Sequence, residues 1–101
     1  LLLESYWLLC FILAMEGFVE RALVDYQKVL WLDPAFVMAH HISAKAYDRL
    51  ADKEKKRRSL RNTLRVLELA ADQSIIPFSG GLSRGVFLEV VRKELSEALD
   101  P

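Results

Sequence analysis

A chain of 101 residues, 52% of them hydrophobic and with 14 Lys and Arg balanced by 14 Asp and Glu, suffices for one small domain with an apolar core or an apolar interface. The zero formal net charge removes the bulk electrostatic drive towards nucleic acid or an acidic membrane. A single cysteine, Cys10, excludes an internal disulfide framework and fits a reducing compartment.

Five helices are predicted, the first over about residues 2–15. All of residues 1–15 except Glu4 and Ser5 are hydrophobic. The run is shorter than the roughly 20 residues that a membrane-spanning helix needs. No basic leader or small-residue cleavage site accompanies it. The expectation is a buried helix, apolar on nearly every side and covered on two faces. Part of that cover is expected from a second copy or from further chain, since the sequence begins on Leu1 in mid-pattern and reads as a piece of a longer protein. Cys10, between Leu9 and Phe11, reads as a small core residue.

Gly17 ends the first helix. The second covers 19–32, with Ala22, Tyr26 and Val29 at helical spacing. Leu32-Asp33-Pro34 closes it, because the residue before a proline is pushed out of helical conformation. Two helices joined by a glycine turn make an antiparallel hairpin. A lone hairpin cannot bury its faces, so stacking on a neighbour is implied. The third helix, 36–50, carries Val37, His40, Ala44 and Tyr47 as a stripe. After a turn at Ala51-Asp52 the fourth, 53–70, carries Leu60, Leu64 and Leu67. Pro77 and Gly80-Gly81 mark a non-helical stretch at 72–82. Ser83 can then cap a fifth helix over 84–99, with Phe87, Val90, Val91, Leu95 and Leu99 facing the core. The predicted organisation is all-α: two hairpins over 1–71, a loop over 72–82 and a capping helix over 83–101.

At an offset of 34 residues Cys10 maps to Ala44, Leu13 to Tyr47, Gly17 to Ala51, Tyr26 to Leu60 and Leu30 to Leu64. Small residues recur where helices cross closely and large ones where they fill space. A 34-residue helix-turn-helix period is the tetratricopeptide signature. Gly17, Ala22, Tyr26, Gln27-Lys28, Leu30 and Leu32-Asp33-Pro34 closely resemble that repeat. The second unit matches in Ala39-His40, Ala44 and Tyr47. It then departs, with Lys56 at the Ala22 position and no Asp-Pro after Leu67, and is read as degenerate. Tyr47–Leu50 and Arg61–Leu67, followed by Ile76–Ser83, resemble the tail of CheR-type bacterial chemoreceptor methyltransferases that carry C-terminal tetratricopeptide repeats. In those proteins a Leu-Arg-Asn-Ala-Leu helix precedes a Pro-x-Ser-x-Gly-Leu loop and a closing helix.

The resemblance covers essentially the whole chain. It implies a cytoplasmic, non-catalytic module that positions its enzyme or self-associates through the apolar first helix. The S-adenosylmethionine-binding domain that methylates receptor glutamates would lie upstream, so no cofactor is expected in this chain. The alternative is a freestanding adaptor for a short peptide or helix of a partner protein.

By analogy with the repeat, the inner face carries Glu4, Trp7, Phe11 and Met15, then Met38, His41, Lys45 and Asp48. Aromatic and weakly charged, it suits an apolar helix or peptide from a protein partner, either a chemoreceptor or another signalling protein. Trp7 and Phe11 stand where carboxylate-clamping repeats keep Lys and Asn, so no such clamp is expected. Cover of these aromatics by the last helix or by upstream chain is the competing reading. Lys53, Arg57, Arg61 and Arg65, at four-residue spacing, stripe one face of the fourth helix, as a solvated face or as a dock for an acidic partner. Nucleic acid is not indicated, since no aromatic platform interleaves with these cations. Adjacent His40 and His41 diverge by about 100° and cannot share a metal; one is expected on the second helix and the other in the groove. The glycines of Ser79–Gly85 read as a turn and cap rather than an anion site. No Ser-His-Asp, Cys-His or paired-carboxylate set appears, so no reaction is predicted.

Overall fold

The computed structural model describes residues 3–69, 75–77 and 79–99. The fold is all-α: α1 (Leu3–Met15), α2 (Val19–Leu32), α3 (Val37–Arg49), α4 (Lys53–Glu68) and α5 (Arg84–Leu99). Among the described residues the only β feature is an isolated antiparallel bridge between Ile75 and Ser83. No described helix is long and apolar enough to cross a membrane.

The helix bounds repeat. α1 and α3 end at Met15 and Arg49, and α2 and α4 begin at Val19 and Lys53. Each pair is offset by 34 residues. The turns repeat as well: Gly17 has φ +93° and Ala51 has φ +58°. Both hairpins therefore turn through a left-handed residue, glycine in one and alanine in the other. Asp33, extended at φ −144°, ends α2, and its carboxylate accepts the Ala35 amide at 3.1 Å. Asp52 caps α4 by accepting the Lys55 amide at 3.1 Å.

Each helix packs on the next in chain order. α3 is thus clasped from both sides, and its burial spreads around the helix: Val37, Ala39, His41, Ser43, Ala44 and Ala46 are all buried. The expected stripe is only part of this, since His40 and Tyr47 are half-buried. Small residues at 39, 43, 44 and 46 let two neighbours approach the same helix.

Two apolar clusters result. The first holds Trp7, Cys10, Ala22, Leu23, Tyr26, Val29, Ala39 and Ala46. The second holds Val37, Leu67, Ile76, Phe87 and Val91. Half-buried Met38 packs against both.

The C-terminal part departs from expectation in places. α4 stops at Glu68, two residues early. Residues 70–74 and 78, mostly within the expected loop, lie outside the described residues. α5 packs on α4, so only the narrow face of Phe87 and Val91 is buried; Val90, expected in the core, is 41% exposed. Leu95 is half-buried, and the Leu99 side chain lies outside the description.

The segment before α5 is tied by one serine. Ser79 Oγ donates to the Ile76 carbonyl at 2.6 Å and accepts the Leu82 amide at 2.9 Å, while the Ile76 amide donates to Leu82 at 2.8 Å. This drives Ile76, 2% exposed, into the second cluster. Ser83 Oγ accepts the Val86 amide at 3.3 Å, which is the expected cap.

Candidate functional site

The expected inner face has an open part and a closed part. The open part begins with α1, where Leu8, Phe11, Ile12 and Met15 are 50%, 39%, 52% and 73% exposed. Their spacing of three, one and three residues sets them on one side of the helix. Beside this stripe lies a groove of about 210 Å³, lined by Phe11, Met15, Val19 and Tyr26 of the first hairpin and by Ile42, Lys45, Ala46 and Arg49 of α3. Phe11 and Lys45 occupy equivalent positions of the two hairpins, as do Met15 and Arg49. One wall is consequently apolar, while the other adds Lys45 and Arg49 to the apolar Ile42 and Ala46, and no carboxylate lines the groove among the described residues.

A second cleft, of about 220 Å³, runs from α3 to α4 and α5 and is lined by Lys45, Asp48, Arg49, Lys56 and Glu94 together with Ala44 and Leu60. Its charges are largely matched: Lys56 Nζ lies 2.9 Å from Asp48 Oδ1.

The closed part corrects two expectations. Trp7, expected on the inner face, is 2% exposed. Its ring lies 5.4 Å from that of Tyr26 and 5.3 Å from that of Phe36, between centroids. The start of α3 thus brings Phe36 over it. His41, the equivalent residue of the second hairpin, is 6% exposed. Its Nε2 lies 2.8 Å from Glu94 Oε1, and its ring meets Phe87 edge-on at 4.9 Å. α5 therefore covers it. A partner approaching the folded chain meets neither side chain. Met38 lies between the clusters rather than in the groove. Of the expected binding residues, Phe11 and Lys45 line the groove. The Glu4 side chain lies outside the description.

Arg57, Arg61 and Arg65 form a separate surface. Arg57 is half-buried and the other two are exposed, and none lines the groove. Arg65 donates to Asn62 Oδ1. The neighbouring pairs Lys55–Asp52 at 3.9 Å and Arg58–Glu54 at 4.0 Å are surface contacts of a kind worth about 0–1 kcal/mol.

The two histidines serve separate joints. His40 Nε2 donates to the Pro34 carbonyl at 2.9 Å. Burial lowers its pKa, nearby Arg65 lowers it further, and the bond to Pro34 opposes both. Glu94 is held below its ordinary value chiefly by the hydrogen bond from His41, against the effect of burial. No group of three or more metal-ligating side chains occurs among the described residues. Burial pushes the Cys10 thiol up to about 11, with Asp25 adding to the rise. Tyr26, whose hydroxyl donates to the Cys10 carbonyl at 3.5 Å, is pushed up to about 12, also by burial. Cys10 is a core residue held as a neutral thiol.

Sequence reasoning missed Arg49, Ile42 and Val19 in the groove. The 34-residue offset from Met15 would have found Arg49. It missed Glu94 as the partner of His41, for which α5 offers no repeat equivalent. Neither the groove nor the second cleft sets a serine, threonine or cysteine against a histidine or carboxylate among the described residues. The chain matches no family model, no curated protein and no solved structure.

Proposed function

We propose that the chain is a non-catalytic protein-interaction module built from tetratricopeptide-type hairpins. In this reading it forms the C-terminal region of a CheR-type chemoreceptor glutamate methyltransferase and positions that enzyme on a protein partner, either a chemoreceptor or another signalling protein. The observation that carries the reading is the 34-residue recurrence of helix bounds and of left-handed turns. Equivalent helices α1 and α3 share the groove for that reason. An apolar groove flanked on one side by Lys45 and Arg49 suits an amphipathic segment with an acidic flank. The parent enzyme rests on the resemblance of Arg61–Leu64 and Pro77–Leu82 alone.

Capture of a chemoreceptor cytoplasmic fragment by the immobilised chain tests the binding face. Phe11→Ala and Lys45→Glu are each expected to weaken capture by about fivefold or more, the mark of a residue that matters at an interface. Arg57→Glu/Arg61→Glu is expected to leave it unchanged. The reverse pattern would move the site to the α4 stripe. A full reading frame with no S-adenosylmethionine-binding domain upstream of the module would remove the methyltransferase assignment and leave a freestanding adaptor.

A further inference from the structure

The geometry points to a second site: a cavity between α2, α3 and α4 binds a small phosphate monoester, with Lys55, Arg58 and Asn62 holding the phosphate and Leu30 and Tyr47 its organic part. The cavity shares no lining residue with the groove or with the second cleft. The inference is therefore independent of the groove's partner and of the parent enzyme.

α4 supplies the donors. Lys55, Arg58 and Asn62 follow one another at spacings of three and four residues, which sets them on one side of the helix. All three line a cavity of about 420 Å³, a volume within the range of small-molecule sites. Asn62 Oδ1 accepts from Arg65, which leaves that side chain its N–H donors. Tyr47 adds a hydroxyl from α3, and Lys55 Nζ lies 5.9 Å from the centre of its ring.

Charge selects an anion. Lys55 Nζ is 3.9 Å from Asp52 Oδ2, and Arg58 Nη2 is 4.0 Å from Glu54 Oε1. Both separations exceed hydrogen-bond distance, and no carboxylate lines the cavity among the described residues. The second cleft is the contrast, since there Lys56 meets Asp48 at 2.9 Å and the charge is already matched. The cavity thus holds two cations that no carboxylate engages by a hydrogen bond.

The arrangement of donors favours phosphate over carboxylate. An ammonium, a guanidinium fork, an amide and a phenol reach the cavity from two helices. A monoester offers three terminal oxygens to donors arriving from several directions, whereas a carboxylate offers two in one plane. A bare phosphate, a few water molecules in size, fills only a small part of the space. The remainder, beside Leu30 of α2 and the Tyr47 ring, suits an organic group.

Amide NMR titration of the full chain with phenyl phosphate, at fixed ionic strength and about pH 7.5, where the monoester is doubly charged, tests the assignment. Saturable shifts are expected over residues 40–47 and 55–62 and in the His40 ring, which also lines the cavity, with a Kd of about 1 mM or below. Inorganic phosphate should move the same signals with weaker affinity. Benzoate, which keeps the ring and exchanges phosphate for carboxylate, should bind at least tenfold more weakly. Lys55 and Arg58 are exposed, so Lys55→Gln and Arg58→Gln should keep the helical circular dichroism signal. Each is expected to weaken phenyl phosphate by about fivefold or more. Lys53→Gln removes the same charge from the same helix outside the cavity lining and should leave binding unchanged. No saturation by about 10 mM phenyl phosphate, or equal binding of benzoate, overturns the proposal. So does a loss in Lys53→Gln as large as in Arg58→Gln, which would mark a diffuse positive field. A phosphotyrosine tripeptide binding more than tenfold tighter than phenyl phosphate would overturn the small-molecule source in favour of a phosphorylated protein.

Discussion

His41 and Glu94 join α3 to α5 across 53 positions of sequence, and the joint has a pH signature. Glu94 has a folded pKa below its ordinary 4.5. Its stabilising contribution is present above that value and is lost as pH falls through the folded pKa. His40 has a folded pKa below its ordinary 6.5. Below 6.5 the unfolded chain takes up the proton first, so His40 also destabilises the fold on acidification. The two effects share a sign and act in successive windows. Urea unfolding is expected to show a lower midpoint at pH 5 than at pH 7, with a further drop below pH 4.5. His40→Asn should flatten the first step. Glu94→Gln should flatten the second and cost about 1 kcal/mol at neutral pH, because the amide oxygen still accepts from His41 but the bond is no longer charge-assisted. A midpoint constant between pH 7 and pH 5 would contradict the role given to His40. Neither joint was legible locally. The sequence pattern of α1 and α3 placed Trp7 and His41 on an inner face, whereas Phe36 and Glu94, contributed by other segments, bury them.

The hairpin turns carry the clearest element-scale consequence. Ala51 holds a left-handed conformation, at φ +58°, that Gly17 holds at φ +93°. Left-handed backbone costs an alanine about 1–2 kcal/mol, against about 0.5–1 kcal/mol of added chain entropy for a glycine. Ala51→Gly is thus expected to stabilise the fold by up to about 1 kcal/mol, and Gly17→Ala to destabilise it by a similar amount. A Cβ at Gly17 would meet nothing within 4 Å, so the loss is conformational rather than steric. Thermal melts of the two variants should move in opposite directions, and melts moving together would refute this account of the turns. Helix starts and stops were legible because Gly17, Asp33-Pro34, Asp52 and Ser83 punctuate the chain with residues whose backbone chemistry admits few alternatives. Val90 was misplaced because helical periodicity gives the width of an apolar face but not how much of it a single neighbour covers.

The whole molecule is two cores held together by one helix. α3 contributes Ala39 and Ala46 to the first cluster and Val37 to the second, and Met38 packs against both. In a stack where each unit touches only its neighbours, cooperativity resides in such shared residues. Met38→Ala, at a half-buried position, should cost about 1–2 kcal/mol, less than the 2–5 kcal/mol typical of a full core truncation. Its main effect is on coupling. Hydrogen exchange of α1–α2 and of α4–α5, expected to follow one opening free energy in wild type, should separate into two in the variant. Retention of a single opening would show that the clusters are coupled elsewhere. That the chain stacks paired helices was legible from the 34-residue period. That it does so as two cores was not, because the second depends on Ile76, which the Ser79 hydrogen bonds deliver from a segment with no helical pattern.

Cys10 gives the first of these cores its own clock. The sulfur has no exposed surface and its proton is held tightly, so a thiol-modifying reagent consumes it only during the moments when α1 lifts away from α2. The labelling rate therefore times that excursion directly, and whatever clamps the outer side of α1 slows the clock without touching the sulfur.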